Sequence, residues 1–327
     1  MGDEQKEFMY RYLLRRLIQA IPTLIIVSIL VFLVTRLIPG TIIDIIAGLD
    51  SKILTEEQIK ALSKLYGLDQ PLVKQYFVWL AAIIHGNMGY SFRTGQAVVQ
   101  EIAARLPCTL ELTLLATLIS IVLGIPLGLF AAVKHNSLID LICTFFAICG
   151  ISIPKVWLGV LIIFILSRFF GWLPPLGTFI PFHINPVGSL EQLVFPALVL
   201  AFDVAATIAR LTRSSTLEIL HQNYIITAFS KGLPASSIYF RHCLKNALIP
   251  IITALGIQVG YMLAGAIAVE QIFTLPGIGT LLLSAIARRD YPVIQGTILF
   301  IAFAFILVNL FVDVLYGIIN PKIRLEV

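Results

Sequence analysis

The feature that most limits this chain is a series of apolar runs, each long enough to cross a hydrocarbon core of about 30 Å, for which ~20 helical residues suffice. They fall at 10–38, 109–133, 139–170, 193–213, 247–271 and 292–319. With 58% hydrophobic and 13% charged residues and a mean hydropathy of +0.95, against about 25% charged in soluble domains, a water-soluble globule is excluded. Backbone in lipid has no water to bond, so the runs are predicted to be helices. The expectation is an all-α, polytopic membrane protein of six transmembrane helices, forming one domain over 1–327 with no sizeable domain outside the membrane.

The first run opens on a basic cluster and has no small-residue cleavage site after it, so it reads as an uncleaved helix. The third is interrupted at GISIPKVWLG, where Pro154 removes a helix hydrogen bond and disfavours helical geometry before it. One long kinked crossing is predicted. Two separate crossings would have about 15 residues each, short for a span, and would reverse everything downstream.

Basic residues set the orientation. With both termini cytoplasmic, the short inner segments hold Lys6, Arg11, Arg15, Arg16, Lys134, Arg210, Arg213, Lys231, Arg241, Lys245, Lys322 and Arg324, against Arg168, Arg288 and Arg289 outside. The net charge of +5 thus belongs to inner loops and not to a nucleic-acid site. The long first outer loop, 39–106, is balanced in charge and contains LTEEQIKALSKLYGL, read as a short external helix with Thr55 as N-cap and Gly67 as stop. A second short helix, re-entrant or on the surface, is read between Phe273 and Pro292.

Much chemistry is absent. The dipeptide Gly-Lys does not occur, so there is no phosphate loop; neither HExxH nor GxSxG is present. Cys108, Cys143, Cys149 and Cys243 show no metal-ligand spacing and read as buried free thiols. No metal site and no cofactor of this chain's own are expected.

The informative segment lies within the inner loop 214–246. Over 217–250 it reads LEILHQNYIITAFSKGLPASSIYFRHCLKNALIP, too polar for lipid. A helix is predicted up to Lys231; Gly232 suits the left-handed position after a helix and Pro234 bars continuation, after which a second helix runs toward Asn246. By shape alone such a segment is either a rigid lever between two spans or an interfacial amphipathic helix.

The strings NYIITAFSKGL and RHCLKNALIP resemble the EAA loop of ABC importer permeases, in the form found in the oligopeptide, dipeptide and nickel family. YRYLLRRLIQAIPTLIIVSILVFLVTRLIPG, YGLDQPLVKQYFVWL, GNMGYSF, RLPCTLELTLLA, GISIPKVWLG and PGIGTLLLSAIARRDYPVIQG follow in that family's order and cover nearly the whole chain. The long segment after the first helix is similar to the first of the two permease types that pair in these transporters. The resemblance implies a type I importer permease architecture in a bacterial inner membrane, with a cytoplasmic coupling helix. It also implies the partners: a second permease, two ATPase subunits that bind ATP and Mg, and an extracytoplasmic solute-binding protein. By position, Tyr224, Thr227, Ala228, Lys231 and Gly232 would form the coupling helix and its turn. Asn223 stands where the family often has an acid and Phe229 where it often has Arg. Peptides are the implied substrate class, with nickel or metal chelates as the alternative.

Ionisable and polar residues within spans are costly and usually face protein or water. Asp203, on one helix face with Arg210 two turns on, is a candidate to meet a cationic substrate group or to bond a neighbouring helix. Gln258, Tyr261 and Glu270 in the fifth span are candidates for the pathway, with interhelical bonding as the alternative. Gly124/Gly128 and Gly256/Gly260 are read as close helix contacts. A secondary transporter, for which Pro154 and Asp203 are the only hints, and a membrane-embedded enzyme are the rival classes.

Overall fold

The computed structural model describes residues 3–37, 55–65, 69–174 and 177–319; Gly67, Lys322 and Arg324, named above, lie outside them. In chain order the helices are α1 (Asp3–Leu37), α2 (Glu56–Leu65), α3 (Leu72–Ile84), α4 (Val98–Val133), α5 (Leu138–Ser152), α6 (Lys155–Phe170), α7 (Pro186–Leu220), α8 (Asn223–Ser230), α9 (Ala235–Ser237), α10 (Lys245–Ile272), α11 (Ile278–Arg288) and α12 (Tyr291–Ile319). A π-helical segment, Ile238–Leu244, joins α9 to α10 without a break. No strand occurs among the described residues.

α7 is the centre. Of its span, 61% is buried, against 22% for α1 at the edge. Its main partner is α4, and the two run parallel: Ser120 donates its hydroxyl to the Ala201 carbonyl at 3.3 Å, while Gly124 lies against Ala205 and Gly128 against Ala209, all at one offset. The helices approach this closely because the contact is made of glycine, alanine and serine. A Cβ on Gly128 would fall 2.3 Å from the Ala209 carbonyl oxygen and 2.6 Å from the Thr212 Cβ. Gly128→Val is therefore expected to cost about 3 kcal/mol or more by overpacking, read as loss of the chain from membranes and a lower melting temperature in detergent; unchanged values in both would reject the packing reading. The second small-residue pair behaves alike, with Gly256 against Val312 and Gly260 against Phe305 where α10 and α12 run antiparallel.

The parallel α4/α7 pair decides the course of the interrupted run. α5 and α6 do not form one gently kinked helix: their axes differ by 105° across Ile153 and Pro154. Two parallel neighbours can be joined only by a return crossing, so the bent pair together traverses the membrane once. Contacts at its two ends agree. At the start, Asp140 accepts from Arg213 Nε (2.6 Å) and Nη2 (2.9 Å) near the end of α7. Beyond its end, the Phe182 amide donates to Glu111 in the first half of α4 (3.1 Å). Five single helices and this bent pair make the six crossings.

Several boundaries differ from the sequence reading. α4 begins at Val98, within the stretch 39–106 read as the outer loop, and α7 (to 220) and the α9–α10 path (from Ala235) both reach into the stretch 214–246 read as the inner loop. Apolarity marks the part of a helix in lipid, but the backbone continues past it, in α4 through Pro107. Helices α2 and α11 lie where short helices are predicted. Three of the four free cysteines are buried and Cys149 is partly so.

Candidate functional site

The segment after α7 is built as the Gly-Leu-Pro pattern requires. α8 ends with Lys231 at its C-cap, and Gly232 takes φ +73°. The Gly232 amide donates to the Phe229 carbonyl at 3.0 Å and the Leu233 amide to the Ala228 carbonyl at 3.3 Å, the paired bonds of a Schellman turn. Pro234 then opens α9. One face of α8 is held by its own chain, with Ile225 and Ala228 buried against Ile238 and Cys243. Asn246, at the base of α10, donates from Nδ2 to the Tyr224 hydroxyl (3.0 Å). α8 is thus fixed to the end of α7 by the chain and to α10 by packing, by the turn and by this bond.

Its other face is open. Ile226, Phe229 and Leu233 are exposed beside Tyr224, with Thr227 and Lys231 also exposed. A helix that buries one apolar face in its own protein and leaves a second apolar ridge in a polar loop is made to be covered by another surface. Of the five residues proposed by position, Tyr224, Thr227, Lys231 and Gly232 lie on or beside the open side, while Ala228 faces inward and packs. Ile226, Phe229 and Leu233 are missing from that set. Their signal was present in the sequence, as apolar residues at helical spacing around the wrong side of the helix.

The predicted path residues separate. Tyr261 is exposed on α10, its ring 6.3 Å from that of Phe305, and Gln258 is half-buried one turn back. Pro250, Ile257 and Tyr261 form a stripe that the other described helices leave uncovered, and it leads down to Asn246 and so to α8.

Glu270 faces the interior of the protein. It is fully buried; its carboxylate accepts from the Thr109 hydroxyl (2.5 Å) and from the amides of Gly279 (2.8 Å) and Thr280 (3.2 Å), while Thr109 accepts from the Ile278 amide (2.9 Å). Glu270 and Thr109 together satisfy the first turn of α11, where amides lack helical partners and favour negative charge. The sequence could not show this, because Glu270 lies so near the end of a span that either role fits it.

Asp203 sits midway along α7, with Oδ2 3.1 Å from the Lys155 Nζ. Lys155 is the first residue of α6, at the bend, so an opposite charge already meets this carboxylate, and Arg210 is exposed on the helix surface. Two opposite charges inside apolar runs are candidates for each other, a pairing the sequence analysis did not make. Asp203→Asn and Lys155→Gln are each expected to lower uptake, with the double variant recovering part of the loss because neither charge is then left alone. A double variant no better than the worse single one would show that the two act separately.

Comparison with known proteins bears on all of this. Residues 124–325 match the family described as the binding-protein-dependent transport system inner membrane component, and residues 9–113 match the N-terminal part of such membrane components. A provisionally named peptide transport system permease of Brucella abortus is 42% identical over 314 residues, covering 96% of this chain and 99% of that protein. The di/tripeptide transport system permease of Pseudomonas aeruginosa is 40% identical over 335 residues, covering 97% and 99%. Among solved structures, a chain of the MetNI methionine ABC transporter in an inward-facing conformation aligns with a TM-score of 0.56 at 17% identity, covering 68% of this chain and 97% of that one, which establishes the shared fold. The chain belongs to the binding-protein-dependent transport system inner membrane components, as a multi-pass permease subunit of an ABC importer of the oligopeptide, dipeptide and nickel kind that its sequence resembles.

Proposed function

We propose that this permease forms half of a path for small peptides, and that α8 transmits ATP-driven motion from an ATPase subunit to α10. The observation that carries the reading is the geometry of α8: an exposed apolar ridge of Ile226, Phe229 and Leu233 on a helix fixed to the ends of two spans. Peptides as substrate are supported by the names of the Brucella and Pseudomonas relatives. The assembly is a second permease, two ATPase subunits that hold ATP and Mg, and an external binding protein. The chain supplies path and lever, and hydrolysis takes place in the ATPases. The termini are cytoplasmic, as the distribution of basic residues indicates.

In this scheme ATP closes the paired ATPases, each α8 moves with the groove it occupies, and α7 and α10 move with it. Tyr224, Thr227, Lys231 and Gly232 shape the seat, with Ala228 as the close contact behind it. Gln258 and Tyr261 lie on the face of α10 that the second permease would complete into a path, while the Asp203–Lys155 pair steadies the bend between α5 and α6.

The test is reconstitution of the chain with what co-purifies from its native membrane. Uptake of labelled di- and tripeptides that requires ATP and survives collapse of the proton gradient supports the reading. Uptake that follows the proton gradient without ATP would favour a secondary transporter.

A further inference from the structure

Where α4 starts, it encloses a hollow of about 240 Å³ together with α11, the loop before α4 and the start of α12. From there α4 runs to the end of the bundle where Asp140 meets Arg213, the side of α8, so the hollow lies on the face opposite α8. It is lined by three arginines, Arg93, Arg105 and Arg288, and two acids, Glu101 and Asp290.

The acids are held by neutral donors. Asp290 is buried and accepts from the Ser91 hydroxyl (2.5 Å) and the Phe92 amide (3.2 Å), while Glu101 accepts from the Thr94 hydroxyl. Among the described residues, the ion pairs are those of Asp140 with His135 and Arg213 and of Asp203 with Lys155. None of the three guanidiniums therefore has a carboxylate partner there. Arg93 donates from Nη2 to the Arg288 carbonyl at 3.3 Å, which brings it over the end of α11. Arg93 and Arg288 are exposed and Arg105 is half-buried, so a ligand can reach them. A guanidinium carries several N–H donors in a planar fork that matches a carboxylate, and most of those around the hollow are uncommitted.

Position narrows the ligand. The apolar run of α4 starts at residue 109, and Arg105 and Glu101 precede it by four and eight residues, which is about 6 and about 12 Å along the helix axis. The headgroup layer is only about 6 Å deep on each side of the hydrocarbon. Arg105 thus stands at headgroup level and Glu101 beyond it. Thr94 is bonded to Glu101, which places its neighbour Arg93, and with it Arg288, at the same outer level. The hollow opens into water, and its occupant comes from there. The family to which the chain belongs depends on a binding protein for transport.

We propose that this hollow seats an acidic side chain, Asp or Glu, on the surface of the external binding protein, with the guanidiniums of Arg288, Arg93 and Arg105 donating to its carboxylate. The proposal rests on the reading of the chain as an importer permease with α8 on the ATPase side, and is independent of peptides as the substrate.

The test uses the importer with its partner subunits in nanodiscs of neutral lipid and the fluorescently labelled binding protein of the same system. Its Kd is measured by anisotropy for the natural chain and for Arg288→Gln, Arg288→Lys, Arg288→Glu and Arg93→Gln combined with Arg288→Gln. The Arg288 side chain makes no hydrogen bond or ion pair among the described residues, so these variants are expected to keep the melting temperature of the natural chain. The expected result is about tenfold weaker binding in Arg288→Gln, a larger loss in Arg288→Glu and in the double variant, and a smaller loss in Arg288→Lys, which keeps the charge. Added salt should weaken the natural chain more than Arg288→Gln. One acidic surface residue of the binding protein, changed to its amide, should weaken binding to the natural chain and add little in Arg288→Gln. Unchanged Kd in Arg288→Glu and in the double variant would overturn the proposal, even where those variants shed anionic lipid, since the arginines would then serve headgroups. A natural importer that neither binds the binding protein nor hydrolyses ATP faster in its presence would overturn the permease reading itself, and the proposal with it.

Discussion

Valine in place of Gly232 is expected to abolish ATP-driven uptake while leaving the chain inserted at its normal level. A Cβ at this position would have no heavy atom within 4 Å, so crowding is not the cause. The cause is φ, +73° here, a left-handed conformation that costs an ordinary L residue roughly 1–2 kcal/mol and a β-branched one more. Relaxing that strain means giving up the bonds from the Gly232 and Leu233 amides to Phe229 and Ala228. α8 has only eight residues, too few to stay helical alone, and those two bonds fix its angle to α9. Without them a push on α8 is absorbed in the turn before it reaches α10. Asparagine tolerates the left-handed region, so Gly232→Asn should keep most of the activity, which separates backbone geometry from any need for a bare surface. Uptake at the natural rate in the valine variant, at equal membrane level, would mean that α8 is not the lever.

How much of this was legible beforehand depended on the kind of physics involved. Apolar length is a local property, so all six crossings could be placed from the sequence. Helix ends were less visible, because 98–108 and 186–192 are too polar to register as lipid-facing, and Pro107, which reads as a breaker, lies inside α4. Pro154 announced a bend. Its 105° size is set by packing on both sides, with Gly150 of α5 against Ala206 of α7 and Gly159 of α6 against Ile272, and no single segment carries that information. The turn at Gly232 was legible in full, since a Schellman turn is written in consecutive residues. The partners of charged groups were not: Lys155 with Asp203, and Glu270 with Thr109, are joined across long stretches of chain. A sequence can show that a buried charge needs a partner without showing which one it takes. That is why Asp203 and Glu270, similar as intramembrane acids, turn out to have different partners, a lysine for one and the start of α11 for the other.

Glu270→Ala is expected to be among the most damaging substitutions in the chain, through folding and not through substrate choice. It would leave the amides of Gly279 and Thr280 and the hydroxyl of Thr109 buried with no acceptor, about 1–3 kcal/mol for each group left unsatisfied. It would also remove the charge that stabilises the start of α11. The fit is tight: a Cβ on Gly277 would meet the Glu270 carboxyl group at 2.1 Å, so backbone and carboxylate share one space that alanine would leave as a void. With α11 unfastened, the buried cluster of Ile278, Leu281, Leu282 and Ala285 beneath it opens. Glu270→Gln keeps the volume and one acceptor oxygen and should fall between the two in melting temperature. Chain level in membranes and thermal stability in detergent are the first measurements, followed by uptake across a set of peptides of different charge. If the alanine variant is as stable as the natural chain and changes only which peptides enter, Glu270 belongs to the path after all; if it is lost from the membrane and no peptide restores it, the carboxylate is the clasp that holds α11 against α4 and α10.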